Sequence, residues 1–385
     1  MTEQVAGSSP RRRYHFHVPG VLYVLVTLFL AVGAINSQNN LLFLALGLAI
    51  GGLLVSGVLS GSSLMSADLV REPTLSAELA TPTALRYRVA HRGRVIPAYG
   101  IAIAEMRSAG SNWAEFAESP RAFVVGIEPR RSAPAEATIM PRRRGVMRVD
   151  EVRMWTTLPF GLTRKSSTFT LPMVVTVLPP DVPIRAGLFR RVAARAMMGA
   201  ESSRATGMSE EFFGLREYVA GDATRSIAWK RSARIGELVV RQTASPSPRR
   251  LWVVLRLDGR AKPSANELAI AAAAGLLRRA RAEGLAVGLA VPVLGLTFAP
   301  SQSPAHLRRL LDELALVETP KAGAAEVAGD AAGRGGACVV VHPGEADRSI
   351  GPNHAVHIDA TKTNEVFEAD ERSLRILAVI TGASA

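Results

Sequence analysis

The sequence predicts an α+β multidomain membrane protein. It has an N-terminal transmembrane helical hairpin, a small β-sandwich-like domain and a C-terminal α/β domain of Rossmann type. Three observations predict this organisation. Residues 14–67 contain no Asp, Glu, Lys or Arg, residues 68–180 alternate apolar and polar positions in short runs, and residues 246–385 alternate strand and helix patterns. A length of 385 residues suits two or three units at roughly 150 residues per domain.

The uncharged N-terminal stretch predicts two membrane-spanning helices. Apolar runs at 18–35 and 41–60 are separated by the polar residues 36–40. Each run is close to the ~20 residues that a helix needs to cross a bilayer. A cleaved signal peptide is the alternative, but its apolar core would be shorter and no second span would follow. We therefore place a tail at 1–17 and the hairpin at 18–61.

The flanking charges predict the orientation of the hairpin. Three arginines at 11–13 precede the first span, the connection carries no charge, and Arg71 opens a basic region after the second. Because positive flanks stay in the cytoplasm, we expect a multi-pass protein with both termini cytoplasmic. Gly47, Gly51, Gly57 and Gly61 have the spacing that allows close helix contact. We expect them to pack within the hairpin, with a homo-oligomer interface as the alternative.

The net charge of +13 is carried mostly by Arg and restricts the class of partner. Nucleic acid, an anionic membrane surface and an acidic protein are its three ordinary explanations. The arginines are dispersed and aromatic residues make up 5% of the chain, so stacking platforms for nucleic acid are not expected. Attraction to the lipid bilayer explains the charge more simply. The single cysteine, Cys338, lies in an apolar run and is predicted to be a buried core residue.

Residues 68–180 predict a β-rich domain. Period-two alternation recurs between Gly- and Pro-containing turns, which favours a small β-sandwich or partial barrel. The arginines at 142–144 could contact an anion, but a solvated loop face is the more ordinary interpretation.

Residues 246–385 predict a mostly parallel sheet with helices on both faces. An Ala-rich helix over 264–284 ends at Gly284, and an amphipathic helix starts at Ser303. Functional groups of such sheets lie at the carboxyl ends of strands, so Asp258 marks the expected place of a site.

The same region supports an alternative, enzymatic hypothesis. His342, His354 and His357 lie near the C-terminal strands, and Asp359 follows closely. The run V-H-I-D places His357 and Asp359 on one face of a strand, which suits an acid–base pair but not a metal triad. Solvated histidines at strand ends are the simpler explanation.

One segment, residues 212–242, combines charged, aromatic and turn residues without a clean helix or strand period. It lies in a connecting region, 181–245. Gly221 and Asp222 predict a turn in which the carboxylate accepts N–H bonds from the residues around Thr224, and Trp229 is expected to anchor the element in an apolar pocket. The segment has no His or Cys to act as base or nucleophile.

Two interpretations of this segment remain: a structural joint set by ion pairs of Arg216, Glu217, Asp222 and Arg225, or a docking surface for an acidic partner. The exposed cations of that surface would be Arg225, Lys230, Arg231 and Arg234. The residues singled out for either role are Arg216, Glu217, Tyr218, Gly221, Asp222, Arg225, Trp229, Lys230, Ser232, Arg234 and Gly236.

The segment also carries a family resemblance. The pattern F-G-L-R-E-Y-x-x-G-D-x-x-R-x-I-x-W-x-x-S-A-R-x-G-x-L-x-V-R runs from Phe213 to Arg241. It resembles the signature of the bacterial domain-of-unknown-function family fifty-eight. The N-x-x-N-N-L-L loop at 36–42 and the P-F-G-L turn at 159–162 are similar to features of that family.

The resemblance implies a von Willebrand factor A-like fold for residues 246–385. It also implies an inner-membrane location and a MoxR-type AAA+ ATPase as partner in the assembly or maturation of other proteins. Metal-binding domains of this fold carry D-x-S-x-S, where this chain has Asp258-Gly259-Arg260-Ala261-Lys262. Because two oxygen ligands are replaced, we expect no metal and no cofactor, with Arg260 or Lys262 paired to Asp258.

These observations lead us to expect a membrane-anchored, non-enzymatic interaction or scaffold protein with a chaperone-like role. The alternative is a hydrolase-type enzyme with a site at the carboxyl edge of the C-terminal sheet.

Overall fold

The computed structural model describes residues 11–16, 18–158, 160–200, 206–244, 249–320, 337–345 and 355–382. The chain divides into two compact units, Met1–Leu178 and Pro179–Ala385.

The first unit begins with two apolar helices, α1 (Val18–Ser37) and α2 (Asn40–Met65). Both are long and apolar enough to cross a membrane, with mean hydropathy of 2.4 and 2.0 in their most apolar windows. The Asn39 side chain accepts a hydrogen bond from the Leu41 N–H at 2.9 Å and caps α2. The predicted pair of apolar helices is confirmed, although α2 continues to Met65, past the predicted end of the hairpin at residue 61.

The two helices approach each other at a different glycine from those predicted. A Cβ placed on Gly52 would lie 2.9 Å from the Tyr23 hydroxyl oxygen, and that hydroxyl donates to the Ala49 carbonyl at 3.2 Å. A Cβ on Gly47, Gly51 or Gly57 would meet no atom within 4 Å. The prediction that these three glycines pack within the hairpin is therefore wrong, because the helix faces meet through Gly52.

Among its described residues, the rest of the first unit contains nine β-strands and one 3₁₀ turn. The strands are β1 (Arg11–Phe16), β2 (Ala67–Arg71), β3 (Ser76–Glu78), β4 (Thr83–His91), β5 (Ala98–Glu105), β6 (Arg121–Ile127), β7 (Ser132–Ile139), β8 (Gly145–Thr156) and β9 (Thr163–Leu178). One sheet has the order β1-β9-β8-β5-β6 with β3 beside β9, and the other has the order β2-β4-β7. The predicted β-rich region is confirmed. Residues 11–16, predicted as part of a tail, instead pair with β9.

Alternation of side chains explains the core of this unit. On β4, Leu85, Tyr87 and Val89 are buried, whereas the residues between them face solvent. A charged group is also buried: the Glu105 carboxylate accepts bonds from Arg71 Nη2 at 2.7 Å and from the Tyr87 hydroxyl at 2.6 Å. Pairing compensates the cost of removing this carboxylate from water.

The second unit alternates helices and strands. Its elements are α3 (Ala186–Ala200), β10 (Thr206–Glu217), α4 (Trp229–Ile235), β11 (Val239–Ala244), β12 (Arg250–Leu255), α5 (Pro263–Ala282), β13 (Ala286–Val291), β14 (Leu296–Ser301), α6 (Pro304–Leu316), β15 (Ala337–His342), β16 (Val356–Asp359), α7 (Thr363–Val366) and α8 (Glu371–Thr381).

A five-stranded sheet of order β14-β13-β12-β15-β16 forms the centre of this unit. All pairs are parallel except β13 with β14, which confirms the predicted mostly parallel sheet. Helix α5 is almost entirely buried because its small side chains permit close approach. A Cβ on Gly275 in this helix would lie 2.7 Å from the Val182 carbonyl oxygen. Strand β12 lies between β13 and β15. The strands that follow it are first added on one side of β12, as β13 and β14, and then on its other side, as β15 and β16.

Candidate functional site

The singled-out segment forms a two-stranded antiparallel ribbon with a helical insertion. Strands β10 and β11 pair Arg216 with Val240 and Glu217 with Val239. The chain between them contains a 3₁₀ turn, Thr224–Ser226, followed by α4. The Ala228 N–H donates to the Val239 carbonyl at 2.8 Å, so the insertion folds back onto β11. This mixture explains why the sequence shows no single period.

An ion pair closes the turn at the end of β10. Arg216 Nη1 lies 2.7 Å from Asp222 Oδ2, and Arg216 Nη2 lies 2.5 Å from Asp222 Oδ1. The same carboxylate accepts the Val219 N–H at 3.0 Å, and Gly221 supplies a backbone φ of +113°. The hydrogen bond from Arg216, followed by that from Val219, holds the pKa of Asp222 below its ordinary value. Conversely, the hydrogen bond to Asp222 raises the pKa of Arg216.

The predicted role of Asp222 as a cap is wrong. Its carboxylate accepts from Val219, which precedes it, rather than from the residues around Thr224. The 3₁₀ turn instead follows Ala223 and has no side-chain cap. The reason is the nearby guanidinium of Arg216, which turns the carboxylate back toward β10. The predicted ion pair of Arg216 with Asp222 is confirmed, while the Glu217 side chain is exposed.

A buried serine attaches α4 to β11. Ser232 Oγ accepts the Val239 N–H at 3.0 Å and lies 3.2 Å from the Ala228 carbonyl oxygen, to which it can donate. The hydroxyl therefore satisfies backbone groups on both elements. Gly236 ends the helix with φ of +83°, the left-handed conformation that glycine adopts without strain.

Trp229 does not occupy an apolar pocket, and that prediction is wrong. Its side chain is 63% exposed, whereas the preceding Ile227 and Ala228 are buried. The short helix has one inward position, Ser232, and Trp229 falls on its outer side. Trp229 is therefore free to contact another molecule.

Exposed cations accompany Trp229. Lys230, Arg231 and Arg234 are exposed on α4, and Ile235 and Leu238 add exposed apolar area at 51% and 45%. We call this set the α4 surface: Trp229, Lys230, Arg231, Arg234, Ile235 and Leu238. Arg225 is also exposed, and Tyr218 is half-buried with its N–H donating to the Leu238 carbonyl at 2.9 Å.

Asp258 lies beyond the carboxyl end of β12, as predicted. Its Oδ1 accepts the Arg260 backbone N–H at 2.8 Å, so Arg260 contacts it through the main chain and not through the expected side-chain pairing. The fully buried Asn266 holds this turn with two bonds. Its Oδ1 accepts from the Asp258 N–H at 3.0 Å, and its Nδ2 donates to the Asp258 carbonyl at 2.8 Å.

Asn266 is a residue that the sequence interpretation missed. The only available signal was an amide near the start of an Ala-rich helix, eight positions after Asp258. An unpaired amide in a buried helix is costly, so its position should have suggested a backbone partner.

Two of the three C-terminal histidines lie together. His342 Nε2 lies 3.0 Å from His357 Nδ1, and the rings stack with centroids 5.2 Å apart. The Asp359 carboxylate accepts bonds from the Thr361 N–H at 3.0 Å and the Thr361 hydroxyl at 2.6 Å. His354 lies outside the described residues. Within the described part of the chain, no group of three or more His, Cys, Asp or Glu is arranged to hold a metal ion.

Comparison with known proteins gives one result. The model of a family described as "Protein of unknown function DUF58" matches residues 214–347. The match begins inside β10 and extends past the end of β15, so it includes every strand of the central sheet except β16. No curated protein matches the chain significantly.

Proposed function

We propose that this protein is a membrane-anchored, non-enzymatic interaction protein of the bacterial inner membrane. The apolar helices α1 and α2 anchor it, with both termini in the cytoplasm. The second unit, with a von Willebrand factor A-like fold over 246–385, is presented to a MoxR-type AAA+ ATPase during assembly or maturation of other proteins. The observation that carries the proposal is the α4 surface, within the segment that resembles the family signature.

The chemistry of the α4 surface suits protein docking. A tryptophan with 63% of its surface exposed is unusual unless something covers it, and Trp and Arg dominate the binding energy of interfaces. Lys230, Arg231 and Arg234 surround it with positive charge. Such a surface fits an acidic patch with an apolar centre on the partner, since charge complementarity steers association.

Retention of a purified MoxR-type ATPase from the same genome by the full-length protein in detergent tests the proposal. Lys230→Glu combined with Arg234→Glu is expected to weaken binding at least about tenfold, because attraction becomes repulsion at two contacts. Trp229→Ala is expected to weaken it by a similar factor through loss of apolar area.

The matched control reverses two exposed arginines elsewhere in the second unit, Arg260→Glu with Arg372→Glu. It changes the net charge equally and should leave binding within about twofold. Equal loss in both double variants would reduce the interaction to non-specific charge attraction. Absence of binding by the unaltered protein would reject the ATPase as partner.

A second candidate is a hydrolase-type enzyme with its site at the carboxyl edge of the central sheet. The contact between His342 and His357, together with Asp258 beyond β12, favours it. Turnover of ester or phosphate-ester substrates that disappears in His342→Ala, but persists in Trp229→Ala, would favour this candidate over docking.

A further inference from the structure

A cleft in the first unit collects positive charge. It has a volume of about 860 Å³ and lies on the outer side of the sheet that contains β5, β6, β8 and β9. Two tryptophans, Trp113 and Trp155, contribute to its walls. The cations that line it are Arg107, Arg121, Arg142, Arg153 and Arg164. Nothing in the proposed docking function uses these residues.

Strand register places two of the arginines on either side of a small residue. Ala104 on β5 is the direct partner of Arg121 on β6 and of Arg153 on β8. Direct partners project from the same face, so the two arginines lie about two strand spacings, ~10 Å, apart across Ala104. Ala104 carries only a methyl group and lines the cleft between the two arginines, although neighbouring side chains leave it only 8% exposed. One anion above Ala104 can accept bonds from both.

Among the described residues, the carboxylates that line the cleft neutralise one of its five arginines. Glu118 pairs with Arg142 at 2.5 Å, and Glu105 turns inward to Arg71 and Tyr87. Within the described part of the chain, Arg107, Arg121, Arg153 and Arg164 form no ion pair with a carboxylate. Like charges gathered in one cleft repel each other, and a bound anion relieves that repulsion.

The geometry of guanidinium groups selects the class of anion. A planar guanidinium donates two parallel N–H bonds, which match the oxygens of a phosphate group. Arg164 lies with its guanidinium carbon 4.7 Å from the centre of the Trp155 ring. That cation–π contact restrains the Arg164 side chain beside the cleft.

The chain next to Arg164, which lines the cleft, contacts the ends of the two apolar helices. Lys165, next to Arg164, donates from Nζ to the carbonyl of Gly57 at 2.6 Å, and Gly57 ends the candidate span of α2. A Cβ on Gly20, at the start of α1, would lie 2.0 Å from the Leu162 carbonyl oxygen. Leu162, which precedes β9, therefore lies against the start of α1, and Lys165 on β9 contacts α2.

The two ends of the cleft are separated along β9 by more than the depth of the headgroup region. Arg153 is the register partner of Thr168, four residues beyond Arg164. At about 3.3 Å per residue, the two arginines lie ~13 Å apart along the strand. The polar layer on one side of a bilayer is ~5–8 Å thick, which is less than this distance, so lipid phosphates reach the Arg164 end of the cleft first.

We propose that this cleft binds a phosphate-bearing anion, held above Ala104 by Arg121 and Arg153 and at the membrane end by Arg164. The headgroup of an anionic phospholipid and a free phosphate compound share this chemistry, and the position of the cleft favours the lipid. Basic pockets beside membrane helices hold lipid phosphates in this way.

The test uses the full-length protein in detergent, with bound ligand counted by native mass spectrometry during titration. One arm adds phosphatidylglycerol with phosphatidylcholine as reference, and the other adds inorganic pyrophosphate without lipid. Saturable binding of phosphatidylglycerol assigns the lipid as ligand, and saturable binding of pyrophosphate alone assigns a soluble phosphate. Saturation by neither overturns the proposal.

Variants separate this site from general charge attraction. Arg121→Gln with Arg153→Gln is expected to weaken binding at least about tenfold, because two charge-assisted contacts are lost. The matched control is Arg94→Gln with Arg148→Gln, which removes two exposed arginines of the same unit that do not line the cleft. Equal weakening by both pairs would overturn the proposal.

A third variant keeps every charge. Ala104→Leu fills the space between Arg121 and Arg153, and Ala104 is the register partner of both. It should weaken binding as strongly as the arginine pair while the far-ultraviolet circular dichroism stays unchanged. Undiminished binding in this variant would show that the anion does not lie above Ala104.

Discussion

Arg216 and Asp222 form a two-point ion pair that closes the turn after β10, with N–O distances of 2.7 and 2.5 Å. The pair is partly exposed, so its contribution to global stability is small. Its effect is local, since the same carboxylate also fixes the Val219 N–H. The turn leads into the segment that presents the α4 surface, and the ion pair thus positions that surface.

The pKa of Asp222 gives the first prediction. It lies below its ordinary value of 3.8 because Arg216 and Val219 stabilise the charged form. The folded pKa is depressed, so the carboxylate stabilises the turn above pH 3.8 and this stabilisation is lost as the pH falls through the depressed value. A carboxyl titration by NMR should give a midpoint below 3.8, which moves up toward 3.8 in Arg216→Ala. An unchanged midpoint in that variant would show that Arg216 is not the cause.

The exposure of Trp229 gives the second prediction. Trp229→Ala should change the free energy of unfolding of the second unit by less than ~0.5 kcal/mol, since an exposed side chain loses little packing. Ile227→Ala, which truncates a side chain that is 7% exposed, should cost about 2–5 kcal/mol. Chemical denaturation followed by circular dichroism measures both. A large cost for Trp229→Ala would mean that the ring packs within the protein.

The organisation of the chain could be predicted where one strong local signal dominates. Residues 14–67 contain no Asp, Glu, Lys or Arg, and this absence of charge is enough to predict two long apolar helices. The apolar run at 286–291 likewise forms a strand that is buried at every position. The environment of Trp229 could not be predicted. Tryptophan is buried on average, but its side of α4 depends on the contacts of Ile227 with Val240 and of Ser232 with Val239, which the sequence does not reveal.

The same reasoning explains two other differences. Residues 11–16 carry arginines and precede the apolar helix α1, so composition favoured a tail, yet β9 offers an edge to which they pair. Arg121 and Arg153, the two register partners of Ala104, do not belong to a sequence motif. They are brought beside Ala104 only when β5, β6 and β8 pair in this register. The features that the sequence did not predict are therefore those that depend on pairing between strands distant in the sequence.

The buried cysteine gives the third prediction. Burial raises the pKa of Cys338 from 9.0 to about 11, so the thiol stays protonated at neutral pH. Native protein at pH 7.5 should react with a thiol-specific reagent far more slowly than denatured protein, which exposes this single cysteine. Because the unfolded thiol ionises first, stability should fall as the pH rises from 9 toward 11. Equal labelling rates in the two states would contradict the burial of Cys338.

Asn266 gives the fourth prediction. It is fully buried and forms two hydrogen bonds with the backbone of Asp258. Asn266→Ala leaves a buried N–H and a carbonyl without these partners, and we expect a loss of about 2–4 kcal/mol in the free energy of unfolding. Asp258→Ala, which keeps both backbone groups and removes an exposed side chain, should cost less than ~1 kcal/mol. Equal costs would indicate that the Asp258 carboxylate, rather than Asn266, holds the turn.

The buried carboxylate of the first unit gives the fifth prediction. Arg71 and Glu105 form an ion pair with side-chain exposures of 3% and 0%. Within the described residues, Nε and Nη1 of Arg71 have no hydrogen-bond partner, so Glu105 is the group that compensates the buried charge. Glu105→Gln leaves that guanidinium without its counter-charge, and we expect a loss of about 3–5 kcal/mol in the free energy of unfolding.

Glu136→Gln provides the matched control for this change. Glu136 pairs with Arg86 in the same unit at 3.1 Å, but both side chains are more than half exposed. Water replaces the lost contact there, so the cost should stay below ~1 kcal/mol. Denaturation of both variants in the same detergent measures the difference directly. A Glu105→Gln protein as stable as the control would mean that water or an anion, and not Glu105, compensates Arg71.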